Sequence, residues 1–171
     1  MTRRSLLWTV VLTLALALCG LSAWRLHLAL TDEDTAFARA RDSALADGRD
    51  HIARLNSVDS TRIDADIDAW LDATTGPLRN DYDRLRAQHT AELTKAGTTM
   101  SAQVTDAALT SLDDRAGTAR LIATVRVEAT SRGGGRSTDR KRFEAVLART
   151  GDGWKLTSLS AVAAGGQEDP R

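Results

Sequence analysis

Two residues near the middle of this chain have the right types for acid–base work: Tyr82 and His89. At about 3.6 residues per turn they fall on one face of a helix, in a stripe with Leu78, Leu85 and Leu93. A phenol and an imidazole facing an apolar cavity can orient a ligand or move a proton, so this pair is the candidate ligand pocket. The competing reading is packing, with His89 as a core or rim histidine and Tyr82 keeping its hydroxyl wet, and it is the preferred one. Little else has catalytic character. The single cysteine, Cys19, lies in an apolar leader, which leaves neither a nucleophilic thiol nor a disulfide for the rest of the chain. His27 and His51 stand apart, with no zinc-like spacing.

The carboxylates of "DADIDAWLD", Asp64, Asp66, Asp68 and Asp72, suggest a metal cluster at first sight. Residues two apart on a helix point about 200° away from each other, so Asp64, Asp66 and Asp68 do not converge on one ion. Metal binding needs more oxygen ligands than two carboxylates supply, and neither a metal nor any other cofactor is expected. The four acids read instead as a solvated face, with fourteen acids against nine bases over residues 31–96, and as the candidate surface for a protein partner. The segment "SRGGGRSTDRKR" lacks the Gly-Lys-Ser/Thr ending of a phosphate loop and precedes a strand, so it reads as a hairpin. Its Arg132, Arg136, Arg140, Lys141 and Arg142 gather positive charge, as expected of a protected strand edge. No face is basic enough to imply nucleic acid.

The elements that must position these residues follow from their periodicity. A helix over 31–57 starts with Thr31 as N-cap and carries Phe37, Ala44, Leu45, Gly48, Ile52 and Leu55 on one stripe, loosened at Gly48. A second helix is capped by Ser60 or Thr61, with Asp64 at capping-box distance, and buries Ile63, Ile67, Trp70 and Leu71. In "TTGPL", Gly76 and Pro77 make a joint, and a third helix follows over about 77–96. From residue 98 the period changes to two, in four runs separated by "DDRAG", "SRGGGRSTD" and "GDG". Ala119, Leu121, Ala123, Val125, Val127 and Ala129 alternate with polar residues, as in a sheet covered on one face. The expected class is α+β, with three helices packed on a curved antiparallel four-stranded sheet, and a disordered tail at 164–171.

The leader has Arg3 and Arg4 followed by nineteen uncharged residues, Leu6–Trp24. At about 1.5 Å per residue this run crosses a hydrocarbon core of roughly 30 Å. Trp8 and Trp24 fall where an aromatic belt belongs. A cleaved signal peptide is the rival, since Ala15 and Ala17 or Gly20 and Ser22 supply a small-x-small exit. The preferred reading is a single-pass anchor: residues 1–5 in the cytoplasm, a transmembrane helix over 6–25, and the C-terminal domain outside the cell membrane.

Taken together, the leader, "DADIDAWLDATTGPLRNDY" and the closing "GDGWKLTSLSAV" resemble the Mce-associated membrane proteins of actinomycete cell envelopes over about residues 31–163. The resemblance implies an NTF2-like cone for that exported domain and no catalytic residues. It also implies an accessory role beside an Mce-type lipid-import complex, through protein–protein contacts. The alternative is a small-molecule or lipid-binding cone, with isomerase- or cyclase-like chemistry if a buried carboxylate faces Tyr82 or His89. Oligomeric state is left open.

Overall fold

The computed structural model describes residues 3–162, and the side chains of 12–25 and 34–162. The chain divides into two compact units, Met1–Arg39 and Ala40–Arg171. The elements are α1 (Arg3–Leu55), α2 (Ile63–Ala73), α3 (Gly76–Arg84), α4 (Arg86–Ala96), β1 (Thr99–Asp113), β2 (Thr118–Thr130), β3 (Arg136–Thr150) and β4 (Gly153–Val162).

The first unit is the N-terminal part of α1. The helix does not begin at Thr31, where the sequence offers an N-cap; it runs through, because "TDEDTAF" contains no Gly or Pro to break it. Leu12, Leu14, Leu16, Leu18, Leu21 and Trp24 are all exposed. So are Cys19 and Phe37, the latter despite its place on the expected apolar stripe. Among the described residues no helix is long and apolar enough to cross a membrane. Of the expected span over 6–25, the side chains of 6–11, Trp8 included, lie outside the described residues, as do those of Arg3 and Arg4 and the tail at 164–171.

The second unit joins the rest of α1 and three short helices to an antiparallel meander in the order β1-β2-β3-β4. In β2 the alternation holds as read: Ala119, Leu121, Ala123, Val125 and Val127 are buried against the helices. Ala44, Ile52 and Leu55 of α1, Ile63, Ile67 and Trp70 of α2, and Phe143, Leu147, Trp154 and Leu156 complete the core. Each fully buried Ile or Leu there contributes roughly 1.5–3 kcal/mol. Register shifts after Val104 and Leu109 in β1, and opposite Val146 in β4, bend the sheet.

Three local expectations change. Gly48 does not loosen α1; it lets the helix approach the sheet, since a Cβ there would lie 2.3 Å from a Leu121 methyl. The start of α2 has no side-chain N-cap. Ser60 pairs its hydroxyl with Thr99 at 3.0 Å, and Asp66 reaches back to accept the Asp59 amide at 2.6 Å. The third helix is two helices, broken where Leu85 takes φ −97° and ψ 8°.

The "TTGPL" joint is as the sequence implies and also docks on the sheet. Gly76 has φ +58°, Pro77 enters the first turn of α3, and the Thr75 amide donates to the Leu156 carbonyl of β4 at 2.8 Å. Thr74 is buried, and its hydroxyl donates to the Trp70 and Leu71 carbonyls at 2.9 and 3.1 Å.

Candidate functional site

Tyr82 and His89 do come together, around a third aromatic that the sequence placed in the core. The Trp70 ring lies 5.8 Å from Tyr82, centroid to centroid, and 6.5 Å from His89, which meets it edge-on at 80°. Tyr82 and His89 are 5.7 Å apart. Such tilted and edge-on pairs are the favoured aromatic geometries. Trp70 is held by its own indole N–H, which donates to the Arg54 and Ser57 carbonyls at 2.9 and 3.1 Å. Burial raises the Tyr82 pKa, which keeps the phenol protonated. Among the described residues no carboxylate hydrogen-bonds to Tyr82 or His89, and the two rings, one from α3 and one from α4, form a cluster with Trp70 of α2.

Those two helices are unusual: neither α3 nor α4 contains a buried residue. Leu78, Tyr82, Leu85, His89 and Leu93 are all half-buried: Leu78, Tyr82 and Leu93 pack against the core, and the stripe stays only partly covered. Acids flank it. Asp68 on α2 pairs with Arg86 on α4 at 2.7 Å, and Asp64 accepts from the Thr90 hydroxyl at 3.3 Å, so two of the four candidate acids tie the helices together. Asp66 closes the loop before α2. Asp72, exposed, is the member of the set that makes no such internal contact. Among the described residues, no three His, Cys, Asp or Glu side chains group so as to hold a metal ion.

A second cluster escaped the sequence reading. His51 of α1 has Nε2 2.9 Å from the Trp154 carbonyl, which can only accept, so the neutral ring carries its proton there. The Trp154 amide donates to Asp47 at 3.0 Å and its indole to Ser43 at 3.2 Å, while the Arg149 guanidinium stacks over the ring at 4.8 Å. Burial lowers the His51 pKa, against smaller opposing effects of the Trp154 hydrogen bond and of Asp50 and Asp47. This cluster fastens α1 to the start of β4.

A surface cavity involves neither cluster. It is a groove of 590 Å³ lined by Arg49 of α1, Thr105–Ala108 of β1, Ile122–Thr124 of β2, Arg142 and Phe143 of β3, and Val162. Strand pairing sets Asp106, Thr124, Arg142 and Val162 in one row across all four strands. Ile122 and Val162 are 50% and 46% exposed, large values for apolar side chains in a sheet.

Several solved structures share this fold. An IcmL-like type IV secretion system protein from Legionella pneumophila subsp. pneumophila str. Philadelphia 1 aligns with a TM-score of 0.59 at 12% identity, covering 71% of this chain and 91% of that one. The periplasmic domain of DotI gives 0.58 at 10% identity, with 70% and 93% covered. CagV, a VirB8 homologue from Helicobacter pylori strain 26695, gives 0.52 at 8%, with 66% and 90% covered. At such identities the likeness establishes the NTF2-like α+β fold. A comparison with curated protein sequences finds no match. The sequence pattern of the family described as "Uncharacterized protein Rv1363c/MT1408-like" matches residues 5–162, and the chain belongs to that family.

Proposed function

We propose that residues 40–162 form a non-enzymatic docking module of the cell envelope, anchored at the cell membrane through residues 6–25 with the domain outside. Its partner is a protein that sets apolar anchors on the α3–α4 stripe and basic groups against Asp72, Asp81 and Asp83. The observation that carries this reading is the pair of helices without a buried residue. A helix normally contributes a buried stripe to the core. Here Leu78, Tyr82 and Leu93 reach the core yet stay, like Leu85 and His89, only half-covered and ringed by charge, the pattern of an apolar patch with a polar rim.

The resemblance to Mce-associated membrane proteins supports components of an Mce-type lipid-import complex as that partner. The exposed apolar run of α1 from Leu12 to Trp24 supports the anchor. The fold shared with secretion-system domains is compatible with an accessory role in a membrane assembly, and by itself fixes no partner.

Site-specific photocrosslinking of the full chain in its native membranes tests the surface. A crosslinker at Asp81 on α3 or Gln88 on α4 should yield a discrete heteromeric adduct, and one at Ser158 on β4 should not. Adducts from Ser158 alone would move the interface off the helices and end this reading.

A further inference from the structure

The sheet face that looks away from the helices carries charge that the domain does not neutralise. Arg120, Ile122, Thr124, Arg126 and Glu128 of β2 share that face, being alternate to the buried Leu121, Ala123, Val125 and Val127. Strand pairing puts Arg126 directly opposite Arg140, and Thr124 opposite Arg142. Three guanidiniums therefore occupy adjacent same-face positions, with successive rows about 6.7 Å apart along the strand. Like charges directly opposed across a ladder destabilise it. Compensation exists elsewhere on this face: Arg120 pairs with Glu144 at 3.7 Å. None of Arg126, Arg140 and Arg142 forms a salt bridge among the described residues, although Glu128 and Glu144 each lie one row from the cluster. The Arg126 Nε is buried without a hydrogen-bond partner.

This cationic cluster adjoins the groove. Arg142 belongs to both, and beside it the groove offers the exposed Ile122 and Val162 and the small Ala108, while Arg49 of α1 and the buried Ala123 and Phe143 also line it. Its 590 Å³ lies within the roughly 300–1,000 Å³ of sites that take single small molecules. Asp106, at the β1 end of the Arg142 row, disfavours an anion there and leaves the arginine end for it. An apolar trough with planar, bidentate donors at one end matches a molecule with an acyl chain and an anionic head.

We propose that the outer sheet face is a binding site for a single-chain anionic lipid, its chain in the groove over Ile122 and Val162 and its head on Arg126, Arg140 and Arg142. The site is separate from the α3–α4 docking stripe, and either can stand without the other.

Native mass spectrometry of the full chain in a neutral maltoside detergent tests the site, with palmitate and its uncharged methyl ester as probes. One palmitate per chain is expected, and about tenfold less of the ester at equal concentration, as the loss of a charge-assisted contact implies. Arg140→Gln combined with Arg142→Gln should reduce palmitate binding about tenfold, as should Ile122→Asp, while Asp72→Asn leaves it unchanged. All these side chains are exposed, and melting curves verify that the variants fold. Equal uptake of acid and ester, or undiminished uptake by the arginine double variant, overturns the proposal. It is equally overturned if no palmitate binds while the chain sediments with phosphatidylglycerol vesicles in an arginine-dependent way, since the face would then recognise a membrane surface.

Discussion

Gly76 and Gly48 look alike in sequence, and the structure gives them opposite reasons. Gly76 sits at φ +58°, where glycine is favoured, and a Cβ there would meet only the Thr157 methyl, at an ordinary 3.9 Å. Gly76→Val should lower stability by roughly 1 kcal/mol or more, through backbone strain alone. Gly48 is ordinary helix pressed onto Leu121. Gly48→Ala should gain about 1 kcal/mol of helix propensity and lose about 1–3 kcal/mol to overpacking, a net loss in a denaturant melt. His51 gives a pH prediction. Its folded pKa is depressed by burial, so the stability it contributes is complete above its unfolded value, near 6.5, and is lost as pH falls below that. His51→Gln, which can still donate to the Trp154 carbonyl, should flatten the stability profile between about pH 5 and 7. A profile unchanged by the substitution would remove His51 as its cause. The separate loss at lower pH belongs to groups such as Asp59, whose pKa two Thr61 hydrogen bonds hold down.

At the scale of elements, the period-two pattern of Ala119–Val127 announced the sheet, because one covered face imposes alternation on every residue. The joint at Gly76–Pro77 was equally legible, since both residues have backbone reasons to be there. The break at Leu85 was not: "RLRAQ" contains no helix breaker, and the Tyr82 and His89 rings on either side of the break both meet Trp70. The His51–Trp154 clamp was hidden too. Ser43, Asp47 and His51 pass for solvated helix residues, and their partner lies 103 residues further on from His51. Of the candidate pocket, the spacing of Tyr82 and His89 correctly placed them on one face, yet composition could not show that this face meets Trp70 while staying half-covered, away from the groove. The acids were legible as a group and not as individuals. Asp66 accepts the Asp59 amide from a largely covered position, so Asp66→Ala should destabilise the domain by about 1 kcal/mol, the net worth of a part-buried hydrogen bond. Asp72→Ala, on an exposed position, should stay within about 0.5 kcal/mol in the same melt.

For the whole molecule, the proposed anchoring leader and the proposed docking of the helical layer are tested separately. Protease added to intact spheroplasts should remove residues 40–162 and spare the N-terminus, whereas a mature chain beginning near residue 23 would show the leader to be cleaved. The docking claim is separable from topology and from lipid binding, and it predicts how charge and apolar contact divide the work. Rim acids such as Asp72 and Asp81 should govern the rate of encounter and its salt sensitivity, while the stripe supplies the affinity. The most direct measurement is recovery of the membrane partner by the full chain carrying Leu85→Asp, beside the same chain with Tyr82→Phe. Leu85 is half-buried at the helix break, so a carboxylate there can reach water in the free domain and would be trapped in a docked one. Leu85→Asp, with its melting curve near that of the wild type, should cut recovery about tenfold or more, and Tyr82→Phe should leave it intact. Full recovery with Leu85→Asp in a folded domain would contradict the account, because the open stripe of α3 and α4 would then have no partner to explain it.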